Sequence, residues 1–327
     1  MYEVKSYIKE KNNKPSMVVK IFRYFFACIL LLFVLNFFVN IYFFKDQASN
    51  ALMINPLAGE AIHTATTYIN SRQDSTKLER LVQNVLGQDK DDYGIVIENL
   101  NTGERYYFNQ NKQFETASLY KLWVMAVVFK DIQDGIFNKN DVLSKNVSAL
   151  NSDFGISSES AELTEGTVSH TVEDALTQMI TVSDNYSAYL LTEKIGVKSM
   201  ASFLTENGFS NSKTGTLTTE PVSTPSDMAL FFKKLYQGEL ANKENTDEML
   251  NLLKQQEVNN KLPKDLPQGV VMAHKTGDLN GYSHDVGIVY TPKGNYIIVI
   301  MSNTDSPLDA DDNIALISKS VYKYFTD

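Results

Sequence analysis

With 327 residues and 43% apolar content, the chain can build one large domain or two smaller ones around a proper core, which excludes a disordered chain. Net charge is −9, yet the first 23 residues carry +4 (Lys5, Lys9, Lys11, Lys14, Lys20 and Arg23 against Glu3 and Glu10), leaving −13 on the remainder. An acidic body excludes neutralisation of a phosphate backbone, so no nucleic-acid partner is expected; the single cysteine, Cys28, excludes disulfides.

Residues 1–23 read as a cytoplasmic basic tail. Tyr24 to Phe44 follow without a charge, and as a helix they span roughly 30 Å, the thickness of a bilayer core. The positive flank orients this transmembrane helix with the body outside the cytoplasm, at the cell membrane. The alternative, a secretory signal cut near Ser49-Asn-Ala51, needs a shorter apolar stretch than this one. Residues 45–75 turn mixed and polar and read as a stalk. His63, His170, His274 and His284 show no metal-ligand spacing, so neither a metal nor any other cofactor is implied.

The body begins at Thr76, where a capping box with Glu79 opens a helix carrying Leu78, Leu81, Val82, Val85 and Leu86 at helical spacing. Tyr93 to Glu98 and Glu104 to Asn109 alternate as a hairpin around Asn99 to Gly103. Leu119 to Phe129 is apolar nearly all round, the pattern of a helix buried between layers. Helices are expected at Val172 to Met179, Tyr186 to Lys194, Met200 to Asn207 and Pro225 to Tyr236. Strands return at Val270 to Thr276, Ser283 to Thr291 and Asn295 to Asn303, before a last helix over Asp312 to Phe325. The sheet thus comes from 93–109 and 270–303, with a helical subdomain over about 130–268: an α+β domain, 76–327, with a five-stranded antiparallel sheet flanked by helices.

Three short motifs occur in order: Ser118-Leu-Tyr-Lys121, Ser183-Asp-Asn185 and Lys275-Thr-Gly277. S-x-x-K occurs four times (at Ser6, Ser118, Ser210 and Ser320) and K-T-G twice, so context selects among them. Ser118 opens the buried helix, Lys275 ends a strand, and the one S-D-N lies between. A serine hydroxyl needs a base within reach, and a lysine three residues on along a helix is a neighbour. That amine must fall below its ordinary value of about 10.4, through burial and through the charge of Lys275. The Ser118 N–H at a helix start and the backbone of Asp278 after the K-T-G strand supply an oxyanion hole. Gly277 permits close approach of that strand. The Asp278 side chain is expected to point away, and Asp184 to brace its loop.

This motif set resembles class A β-lactamases and the penicillin-recognising serine hydrolases in general. The likeness covers about Lys77 to Asp327 and includes Gly103, the run Ile180 to Asn185, Thr224-Pro225 and Gly281. It implies a β-lactamase/DD-peptidase-like fold, preceded here by the transmembrane helix, and an acyl-enzyme on Ser118. Lys121 is then the base and Ser183 relays the proton to the leaving nitrogen. Asn185 binds the acyl amide, while Lys275 and Thr276 take the substrate carboxylate. The E-x-x-L-N loop of class A enzymes, which supplies the deacylating glutamate, is missing. Glu220 is the only acid between Gly208 and Ser226, a relocated base or a surface carboxylate. The resemblance implies a β-lactam or acyl-D-Ala-D-Ala-like small substrate and a monomeric catalytic domain. Three readings stay open: a membrane-anchored β-lactamase with doubtful deacylation, a D-Ala-D-Ala carboxypeptidase that penicillin blocks, and a non-catalytic β-lactam sensor.

Overall fold

The structure, a computed structural model, describes residues 76–327 except residue 217; the expected membrane helix and stalk lie outside the described residues. Among the described residues no helix is long and apolar enough to cross a membrane. In chain order the elements are α1 (76–86), β1 (Tyr93–Asn99), β2 (Arg105–Phe108), β3 (Phe114–Glu115), α2 (Lys121–Gln133), β4 (Val142–Asn146), α3 (Val147–Asp153) and β5 (Thr167–Thr171). Then come α4 (Val172–Thr181), α5 (Asn185–Ile195), α6 (Val197–Glu206), β6 (Val222–Ser223), α7 (Pro225–Gln237) and α8 (Lys243–Leu253). β7 (Val271–Leu279), β8 (Tyr282–Tyr290), β9 (Tyr296–Asn303) and α9 (Pro307–Thr326) complete the chain.

Strands β2-β1-β9-β8-β7 form the five-stranded sheet, antiparallel throughout. Period-two alternation divides its apolar residues between two cores. Ile95 and Ile97 of β1 and Ile298 and Ile300 of β9 face α1 and α9, where they meet Leu78, Val82, Ile314 and Ile317. Val96, Ile297 and Val299 face the opposite way, onto α2 and α7. Each fully buried aliphatic side chain contributes ~1.5–3 kcal/mol, so a one-residue slip of β9 would reverse both faces at large cost. The two-residue connection Asn280-Gly281, with Gly281 at φ +80°, fixes the β7–β8 register of Leu279 opposite Tyr282.

Helix α2 is the centre of the second core, its first nine residues, Lys121 to Phe129, all buried. Thr224 caps α7 by accepting the Asp227 N–H at 3.2 Å, and Pro225 occupies the first helical turn. Two features differ from the sequence expectation. Ser118 does not lie in the α-helix but in the 3₁₀ turn Ala117–Tyr120 that precedes it. The hairpin β4–β5 with α3, and helix α8, were not expected: β4 is largely solvated and alternates weakly, while the apolar residues of α8, Met249, Leu250, Leu252 and Leu253, are confined to its C-terminal half.

Candidate active site

The turn carrying Ser118 is held from three sides. Ala117, at φ +45°, adopts the left-handed region that non-glycine residues rarely enter. The Thr116 N–H donates to the Pro221 carbonyl at 2.8 Å, tying the turn to the 213–222 hairpin. Strand β7 closes the third side: a Cβ on Gly277 would lie 2.9 Å from the Thr116 carbonyl oxygen and 3.1 Å from Leu119. Glycine is therefore required here for contact with the Ser118 turn, a nearer reason than access for a ligand. His284 fastens the segment before the turn, with Nε2 donating to the Glu115 carbonyl at 2.8 Å and Nδ1 accepting the Ser302 N–H at 3.2 Å. Burial pushes its imidazole down to about 4, so it is neutral at physiological pH.

Ser118 is half-buried at the start of this frame. The Lys121 amine, fully buried, donates to the Ser183 carbonyl at 2.5 Å, to Asn185 Oδ1 at 2.7 Å and to Ser183 Oγ at 3.2 Å. Lys275, equally buried, donates to the same Ser183 Oγ at 2.9 Å and to its neighbour's carbonyl, Thr276 O, at 3.0 Å. Three residues expected in one place are thus joined, but the expected Lys121–Ser118 hydrogen bond is replaced by the bonds to Ser183 and Asn185. Desolvation lowers the Lys121 amine to about 8, with the Asp184 and Glu162 charges opposing. Desolvation and then the Lys121 charge lower Lys275 to about 7. Of the two causes expected for Lys121, burial is the one that acts; the charge repulsion is felt at Lys275 instead. Two amines that lose protons near neutrality share one hydroxyl, an arrangement that can carry a proton between them.

The S-D-N segment is set by its own backbone. Ser183 takes φ +62°, and Asp184 caps α5 by accepting the Ser187 N–H at 2.6 Å, the bracing role expected of it. Asn185 starts that helix. Glu220 is exposed, in the 213–222 hairpin and one residue from the Pro221 carbonyl that holds Thr116. Burial raises the Tyr120 phenol, and the Tyr189 and Glu220 charges add to the rise.

The profile of the beta-lactamase enzyme family matches residues 77–325. The chain belongs to that family. The β-lactamase VEB-1 of Pseudomonas aeruginosa is 24% identical over 289 residues, covering 79% of this chain and 93% of its own length. PBP-A has the same fold, with TM-score 0.68 and 24% identity over 76% of this chain and 96% of its own. A β-lactamase from Sphaerobacter thermophilus superposes with TM-score 0.66 at 22% identity, over 76% of this chain and 96% of its own.

Two residues of this β-lactamase family member escaped the sequence reading. Lys261, between α8 and β7, is completely buried; its amine bonds the Asp278 carboxylate and, at 3.2 Å, the His284 carbonyl. It anchors the Asp278 side chain, itself 59% exposed. Glu162, in the loop before β5, accepts from Asn185 Nδ2 at 2.5 Å. Neither sits in a motif; only a lysine between apolar residues (Asn260-Lys261-Leu262) hinted at the first.

Proposed function

We propose that this protein is a membrane-anchored serine hydrolase acylated at Ser118 by β-lactams. The observation that carries the reading is the pair of buried amines, Lys121 and Lys275, meeting on Ser183 Oγ beside the Ser118 turn. With Lys121 neutral, the Ser118 proton passes to it as Oγ bonds to the lactam carbonyl carbon. The C–N bond then breaks, and Ser183 hands a proton to the leaving nitrogen while taking one from the lysine pair. The product is an ester on Ser118. The Ser118 and Asp278 N–H groups stabilise the oxyanion, and Lys275 with Thr276 receives the substrate carboxylate. Protease treatment of intact spheroplasts tests the anchored placement: the body should be cut from the outer face, and a fully protected chain would overturn it.

Hydrolysis of that ester requires a base and a water, and Glu220 is the acid at hand. Its exposure in a short hairpin makes deacylation slow. A second reading, a D-Ala-D-Ala carboxypeptidase on the same acylation chemistry, is favoured by the same exposure and the absence of E-x-x-L-N. One neighbour of the same fold, a PBP-A variant, was solved as an acyl-enzyme complex with penicillin G. A chromogenic cephalosporin should give a burst of one equivalent, a Ser118 adduct visible by intact mass, and slow turnover that Glu220→Gln abolishes. Adduct that survives Ser118→Ala would overturn the nucleophile; turnover on the order of hundreds per second, near the upper range of common enzymes, without an adduct would overturn slow deacylation. Release of D-Ala from an acyl-D-Ala-D-Ala peptide decides between the two readings.

A further inference from the structure

Asn185 uses both ends of its amide. Its oxygen accepts from the buried Lys121 amine at 2.7 Å, which fixes the flip and leaves the NH₂ group facing the cleft. One of those hydrogens goes to Glu162 Oε1, leaving the second for a substrate's acyl carbonyl. Glu162 itself is exposed, but the chain beneath it is not free to move. The Leu163 N–H donates to the Tyr186 hydroxyl at 3.0 Å, and the Leu163 carbonyl accepts from Asn151 Nδ2 at 2.8 Å and lies 2.8 Å from the same hydroxyl. Tyr186 and Asn151 are both buried. Adjacent residues at the start of α5, 185 and 186, therefore hold adjacent residues 162 and 163, and the carboxylate is carried at a defined place on the rim.

We propose that Glu162 is a specificity-determining residue that selects acyl groups bearing a positive charge, typically a primary amine near the acyl carbonyl. The inference rests on the reading of the cleft as an acylation site. With Asn185 Nδ2 bridging Glu162 Oε1 and the acyl carbonyl, the second carboxylate oxygen faces the substituent next to that carbonyl. An ammonium there gains a charge-assisted contact, and a carboxylate meets like charge at close range in a half-solvated setting. The carboxylate end of the ligand goes to Lys275 and Thr276, and the opposite end lies under the Glu162 rim, so the preferred ligand is a zwitterion: carboxylate toward Lys275, amine toward the rim. Peptides that end in acyl-D-Ala-D-Ala and carry a diamino residue have this charge pattern, as do aminopenicillins.

The test uses three benzylpenicillins that differ only at the side-chain α-carbon: unsubstituted, α-amino and α-carboxy. Second-order acylation rates are measured by intact mass at about pH 6.5, where the α-amine is charged. The amino compound should react about 20-fold faster than the carboxy compound, roughly fivefold from each charge at a few ångströms in partial solvent. The ratio should shrink in about 0.5 M salt, fall to near one in Glu162→Gln and reverse in Glu162→Lys. An amino-to-carboxy ratio unchanged in both variants overturns the inference. Failure of unsubstituted benzylpenicillin to label Ser118 at all overturns the acylation reading instead, so the two failures are distinct.

Discussion

Lys275→Met exchanges the most strained ion of the site for an uncharged chain of similar length. In the fold this amine titrates near 7, against 10.5 when free. Each pH unit between those values is worth about 1.4 kcal/mol, so keeping the ammonium buried below pH 7 costs about 5 kcal/mol. Methionine relieves that cost but forgoes the bonds to Ser183 Oγ and Thr276 O, worth about 1 kcal/mol each as neutral contacts. The variant should therefore be about 3 kcal/mol more stable than the parent at pH 6. The sign of the pH dependence follows from proton counts: between 7 and 10.5 the unfolded lysine holds a proton the folded one has lost, so the parent gains stability as pH rises. The variant lacks this contribution, and its advantage should vanish by about pH 9.5 as the parent recovers ~3 kcal/mol. Urea unfolding at a series of pH values reads both quantities, and β-lactam acylation should be lost throughout. A variant less stable than the parent at pH 6, or a difference that does not change with pH, would refute the argument that burial depresses this amine.

Three further outcomes are expected. His284, held neutral to about 4 against 6.5 when free, contributes stability that is complete above 6.5 and lost as pH falls toward 4; His284→Asn should flatten this limb by about 3 kcal/mol, and parallel acid unfolding curves would count against it. Gly277→Ala places a methyl 2.9 Å from the Thr116 carbonyl, so unfolding should show a loss of ~1–3 kcal/mol and acylation should drop more than about tenfold as the Ser118 turn is displaced; unchanged acylation would mean the turn tolerates the shift. Lys121→Ala should slow labelling of Ser118 by about 10² to 10⁴, the range of a general base, and stopped-flow acylation that stays within a few-fold of the parent would transfer that role to another group.

Much of the architecture was legible in the chain because its signals are local. Alternation in 93–98 and 295–303, the uniformly apolar run after Ser118, and Thr224-Pro225 at a helix start each act over one or two turns of backbone, and each element formed where expected. Helix α8 and hairpin β4–β5 were not legible, since their few apolar residues acquire meaning only against partners far along the chain.

The sequence by itself determined the motif order, the serine, the two lysines and the fold they share with the beta-lactamase enzyme family. Tertiary structure alone decided how those groups are wired. Ser183, not Ser118, receives the Lys121 amine across 62 residues of chain; Lys261 restrains Asp278, and Glu162 reaches Asn185 across 23. His284 reaches back 169 residues to the strand before Ser118. Burial sets the charge state of each of Lys121, Lys275 and His284, and burial belongs to the packed whole: no residue's neighbours in sequence reveal how much water its folded surroundings exclude.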